Sequence, residues 1–113
     1  MLGEYLRGLP GFDKDYRGAI YQDEATNSQL YTKDTPNSSV PDRIWTGYCI
    51  NRPELNLPCT DDYNESGTAR SRHPGGVMVA LCDGSARFMN DDISLVTWQA
   101  LGTIKNSEVV GDY

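Results

Sequence analysis

From Lys33 to Thr68 the sequence follows neither of the two periodicities that build regular structure. Pro36, Pro41, Pro53 and Pro58 interrupt it, and Asn, Ser, Thr and Asp fill the gaps between isolated apolar residues. In a chain of 113 residues such a stretch leaves little sequence for strands and helices. Structureless segments of this length are uncommon in compact domains unless they carry function or are tied down. Cys49 and Cys59 fall inside the stretch, around Pro53 and Pro58. A disulfide closing that loop would stabilise the fold by roughly 2–3 kcal/mol, by restricting the unfolded chain. A small domain with a thin core gains most from such a staple. The other reading is a pair of reduced thiols. The length suits one domain, residues 1–113, and is too short for two.

The sequence becomes regular after Arg70. Pro74-Gly75-Gly76 reads as a turn, and Val77 to Cys82 is apolar on both alternating faces, as in a strand buried on both sides. Asp83-Gly84 follows and predicts a type I′ hairpin turn, with Ser85 to Met89 as the return strand. Asp91-Asp92 before Ile93 to Leu101, with Gly102 after it, gives the start and stop signals of a short helix. Ile93, Val96, Ala100 and Leu101 would face the hairpin, with Trp98 at the helix edge. Cys82 reads as a small buried hydrophobe. Tyr16–Gln22 and Gln29–Thr32 are weaker strand candidates, residues 1–15 are irregular, and Glu108–Tyr113 forms a last strand or a tail. The expected fold is α+β: a small antiparallel sheet with a central hairpin, one short C-terminal helix and a long stapled loop.

Charge and motifs narrow the function. Ten Lys and Arg against sixteen Asp and Glu give a net charge of −6, which disfavours nucleic acid and anionic membrane as partners. No window of eighteen apolar residues offers membrane insertion, and no secretory signal peptide follows Met1. Phosphate loops, nucleophile elbows and H-E-x-x-H are absent, and one histidine without a C-x-x-C pair is too little for zinc. Two acidic clusters are candidate Ca²⁺ sites. Asp62, Asn64 and Ser66 followed by Gly67 match the front half of a calcium loop, but His73 stands where a bidentate Glu is wanted. A polar turn explains the same residues. Asp83 and the group Asn90, Asp91 and Asp92 flank a strand, roughly 17–23 Å apart if it is extended. There the alternative roles are the hairpin turn and the helix cap.

His73 has two readings. It could anchor the turn before the strand through a backbone hydrogen bond. Alternatively it pairs with Asp83 as the catalytic acid–base of a small metal-dependent hydrolase acting on esters or lactones. The extended strand between them, about 20 Å long, argues against that pair unless the chain reverses at Pro74-Gly75-Gly76. Arg70 and Arg72 are expected to pair at the surface with the acidic loop or with a carboxylate ligand. Trp45 and the tyrosines of the long loop offer carbohydrate or peptide binding, or simply packing.

Ala69-Arg70-Ser71-Arg72-His73-Pro74-Gly75-Gly76, the spacing from His73 to Asp83-Gly84, and Ser85-Ala86-Arg87-Phe88 together resemble the bacterial "prepilin-type processing-associated H-x9-DG" family. Tyr16-Arg17-Gly18-Ala19, Tyr48-Cys49, Leu57-Pro58-Cys59, Thr97 to Thr103 and Glu108 to Asp112 resemble it as well. The resemblance covers nearly the whole chain and is densest over residues 69–113. It implies a pseudopilin-like head, of unknown function, behind an N-terminal hydrophobic helix with a prepilin cleavage site. That helix is missing from this sequence, which reads as a head truncated relative to the family. The resemblance also implies a periplasmic or extracellular location, and contacts with other pilin-like subunits or surface components. By likeness to the major pseudopilins, it implies a structural calcium near Asp83–Asp92. Position 82 departs from the pattern, with Cys where a residue such as Ala is expected.

Overall fold

In the computed structural model, residues 1–8, 15–19, 29–45 and 47–103 are described. They form β1 (Leu2–Gly3), β2 (Asp42–Ile44), β3 (Cys59–Asp61), β4 (Gly76–Ala80), β5 (Ala86–Asn90) and α1 (Leu95–Leu101). The hairpin organises one half. β4 pairs antiparallel with β5 on one side and with β1 on the other, in the order β1-β4-β5. Strand alternation puts Val77 and Val79 on one face, and the register adds Met89 opposite Val77. These three side chains, with Ala69 and Trp98, form the buried core, and Leu30, Ile93 and Leu101 pack around it. Gly76 is required by close approach, since a Cβ there would collide with the Met89 carbonyl.

Three hairpin details differ from the sequence reading. β4 is buried on one face only: Met78 is exposed, because no element covers the opposite side of the sheet among the described residues. The return strand runs from Ala86, one residue later than expected. The turn is not type I′. Gly84 alone adopts positive φ (+88°), its N–H donates to the Leu81 carbonyl at 3.0 Å, and the Leu81 N–H donates to the Ser85 carbonyl at 2.8 Å. That is a three-residue loop closing on a glycine bulge. It takes Cys82 out of the strand, so the thiol is exposed rather than buried.

The helix is shorter than its sequence signals. It starts after Ser94, and Asp91 and Asp92 lie in the preceding turn. Asp91 caps nothing because its carboxylate accepts from the Asn37 side-chain amide at 2.7 Å. With barely two turns, the helix buries a single residue, Trp98, whose indole N–H donates to the Asp34 carbonyl at 2.8 Å. Val96, expected on the packed face, is 77 % exposed.

The long loop contains structure that its sequence did not announce. β2 and β3 pair in parallel, Asp42 opposite Cys59 and Ile44 opposite Asp61. A parallel pair needs a crossover of a dozen residues or so, and residues 45–58 supply it. A one-turn 3-10 helix, Pro53–Leu55, lies in that crossover, and the Cys49–Cys59 disulfide staples it with the two Cα atoms 6.4 Å apart. Tyr16–Ala19 is a turn around Gly18 rather than a strand, and residues 20–22 lie outside the described set. Gln29–Thr32 forms no strand beyond one bridging residue at Gln29, and Glu108–Tyr113 lies outside the described residues.

Candidate functional site

The uncovered face of the sheet is apolar. Met78 stands opposite Phe88, and Ala80 stands opposite both Leu2 and Ala86, so strand alternation brings five apolar side chains to one side. Leu2, Met78 and Phe88 are all exposed, and a shallow groove of about 310 Å³ runs past Leu2, Glu4, Met78, Ala80 and Ala86. Contiguous exposed apolar surface of this kind marks contact sites more often than chance. His73 and Glu4 close one end of the face. The His73 Nε2 atom lies 2.8 Å from Glu4 Oε2, which also accepts the Met78 N–H at 2.6 Å. The His73 ring sits 5.7 Å from that of Phe88. Partial burial works to raise the Glu4 pKa, but the Met78 N–H and His73 prevail and hold it below its ordinary value. The Asp83-Gly84 turn closes the other end. Asp83 accepts from the Ser85 hydroxyl at 2.6 Å and the Ser85 N–H at 2.9 Å, and these bonds lower its pKa.

The geometry separates the candidate catalytic pair. His73 precedes β4 and Asp83 follows it, and each is bonded to a different partner. His73 does anchor the turn region, but through the carboxylate of Glu4 rather than a backbone group. The acidic clusters are also dispersed. Asp62 accepts the Asn64 N–H at 2.8 Å in a local turn, and the Ser66 hydroxyl faces the Arg43 guanidinium at 3.1 Å. Asp91 is held by Asn37, while Asn90 ends β5 and Asp92 lies exposed in the next turn. Among the described residues no three His, Cys, Asp or Glu side chains come together as a metal site. Asp62 and Asp83 are each bonded within their own turns, whereas Asp91 is bonded across the fold to Asn37.

Residues 1–95 match a family model described as a protein of unknown function, DUF1559. The chain belongs to the DUF1559 family. That family is related to pilin-like proteins. No curated protein and no solved structure matches the chain. The DUF1559 match takes in the five strands of the described residues, the disulfide and the His73–Asp83 segment, and ends at the first residue of α1.

Inside this DUF1559 domain a polar cluster is buried in the loop half, alongside the buried apolar residues Ile44, Leu57 and Cys59. Arg70, expected at the surface, is fully buried and every guanidinium N–H has a partner. Its Nε and Nη2 donate to the two Asp42 oxygens, each at 3.0 Å. Nη1 reaches the Ser38 carbonyl at 2.7 Å and the Asn56 side chain at 3.1 Å, and Nη2 reaches the Val40 carbonyl at 3.1 Å. The Tyr5 hydroxyl donates to Asp42 as well. Burial first, and then the Asp42 charge, push the Tyr5 pKa well above its usual value. Arg17 repeats the device: it pairs with Asp15 at 2.8 Å and donates to the Ile50 and Leu57 carbonyls at 2.6 and 2.7 Å. Burial acts to lower the Arg17 pKa, but the Asp15 bonds outweigh it and the pKa rises. Neither cluster was singled out in the sequence. The one available sign was a proline-interrupted stretch poor in apolar residues, with Arg17 and Arg70 lying outside it on either side.

Proposed function

We propose that this chain is a non-enzymatic pilin-like head, of the prepilin-type processing-associated H-x9-DG kind, which contacts other pilin-like subunits or surface components through the open face of its sheet. The observation that carries the reading is the apolar strip Leu2, Met78, Ala80, Ala86 and Phe88, bracketed by His73 at one end and Asp83-Gly84 at the other. In this reading the H-x9-DG motif is architectural. Its histidine ties β1 to the segment before β4, and its Asp-Gly pair turns the hairpin, so together they set the length and edges of the contact face. The Cys49–Cys59 disulfide supports an oxidising, extracytoplasmic location. The membership of a pilin-related family supports the class of partner.

The test is a photo-crosslinking amino acid placed at Met78 or Phe88 in the native cells, with Thr60 on β3 as the control position. The expected result is a covalent adduct with a pilin-like subunit from the sheet positions and none from Thr60. Equal labelling at all three positions, or no pilin-like adduct, refutes the assignment. The reading uses no ion, so melting in EGTA and in millimolar Ca²⁺ should coincide. A calcium-selective rise of several degrees would show instead that Asp62, Asp83 or the Asn90–Asp92 turn takes up the cation.

A further inference from the structure

Away from the sheet, two aromatic rings from separate segments meet at the surface. Trp45 follows β2 directly and Tyr63 lies in the turn after β3. Their centroids are 4.8 Å apart and their planes cross at 85°. Both are exposed, Trp45 by 45 % and Tyr63 by 68 %. Edge-to-face packing holds such a pair together and leaves two nearly perpendicular apolar walls open to water. Two carboxylates neighbour this corner. Asp61 on β3 accepts the Gly47 N–H at 3.4 Å, within the turn that Trp45 opens. Asp62 immediately precedes Tyr63, and its N–H donates to the Ile44 carbonyl at 2.9 Å, one residue before Trp45. Neither carboxylate has a cationic partner among the described residues.

We infer that the Trp45–Tyr63 corner binds a small quaternary ammonium group. A ring face attracts a cation through its quadrupole, with Trp the strongest, and two walls at a right angle present two faces to one charge. Two carboxylates beside the rings, with no cationic partner among the described residues, and a net charge of −6 add long-range attraction. Methyl groups on the nitrogen cover apolar ring surface that a bare, strongly hydrated ammonium leaves wet. Charge complementarity thus selects a methylated cation over a neutral sugar on the same aromatic surface.

The experiment titrates choline into the full chain and follows tryptophan fluorescence, with 3,3-dimethylbutan-1-ol as the uncharged molecule of the same shape. Trp98 is buried and gives a constant background, so the signal reports Trp45. A saturable change at millimolar choline, absent with the neutral alcohol, is expected. Tyr63→Ala should weaken choline binding about tenfold, while Tyr63→Phe, which keeps the ring, should stay close to the parent. Asp61→Asn with Asp62→Asn should weaken it and flatten its salt dependence. Both rings are exposed, so the variants should keep the parent circular dichroism spectrum. Equal responses to choline and the alcohol, an unchanged response in Tyr63→Ala, or a response only to neutral oligosaccharides would each overturn the inference.

Discussion

Replacing Asp42 by Asn keeps the side chain's size and removes its charge. It therefore isolates what the buried carboxylate does. In the native protein that carboxylate accepts from Arg70 Nε and Nη2 at 3.0 Å each, from the Thr68 N–H at 3.3 Å and from the Tyr5 hydroxyl. Asparagine offers one acceptor oxygen in place of two and turns an NH₂ toward groups that are themselves donors. Arg70 has no exposed surface through which water could compensate. Removing one partner of a buried ion pair costs about 3–5 kcal/mol, most of it the cost of the charge left behind. Domains of this size are stable by about 5–15 kcal/mol in total. Asp42→Asn should therefore lower the melting temperature by about 12–20 °C. Urea unfolding followed by fluorescence should show a matching loss with an unchanged slope. Arg70→Met should cost a similar amount, because it strands Asp42 and the Ser38 and Val40 carbonyls. The double variant should fall well short of the sum, since the two residues act as one unit. Arg72→Ala, at an exposed neighbouring position, should lie within about 0.5 kcal/mol of the parent. An Asp42→Asn loss below about 1 kcal/mol, the range of an exposed pair, would refute the claim that this cluster holds the loop together.

Two further outcomes follow from the same geometry. Reducing the Cys49–Cys59 bridge, or replacing both residues by Ser, should cost about 2–3 kcal/mol in urea unfolding, the chain-entropy value for a closed loop of this length. Glu4 has a depressed pKa, so its contribution is present above its unfolded value near 4.5 and disappears as the pH falls through its lower folded value. Tyr5 has the opposite sign: its contribution is intact below about pH 10 and declines as the pH rises from there toward its own higher value. Urea midpoints of the parent, Glu4→Gln and Tyr5→Phe across pH 3–11 should converge at the acid end for Glu4→Gln and at the alkaline end for Tyr5→Phe.

The hairpin was legible because its signals are local. Val77 and Val79 alternate, Gly84 supplies the positive φ, and the strands need only each other. What the local text missed were choices made by distant groups. Asp91 looks like a helix cap but belongs to Asn37, fifty-four residues away, so the helix begins later. Met78 looks buried because its neighbours are apolar, yet nothing among the described residues covers that face. The loop was the hardest case. Apolar periodicity is the main signal for strands, and β2–β3 is held by Arg70, Asp42 and a disulfide, none of which leaves a period. Arg70 read as a surface residue because burying a guanidinium is costly unless all its donors are met. Here they are met by five acceptors spread over residues 38–56, which no sequence window brings together.

The spacing from His73 to Asp83 has a physical reading that can be broken deliberately. A strand reverses the facing of every side chain when its register slips by one. Inserting one Ala between Met78 and Val79 leaves His73, Glu4, Asp83 and Gly84 unchanged but turns half of β4 over. Val79 then faces water or Ala80 faces the core, and the Leu81–Ser85 closure of the turn loses its partner. Burying or exposing one such side chain is worth about 1.5–3 kcal/mol, and the ladder bonds of the hairpin are lost in addition. The insertion should remove most of the domain's stability in urea unfolding. The same Ala inserted after Asn64, in an exposed turn outside the sheets, should cost far less. If the motif were a catalytic spacing, moving its ends by one residue would harm activity and spare stability. Equal stability for the two insertions would remove the architectural reading of the motif, and with it the reason for placing the contact face between His73 and Asp83.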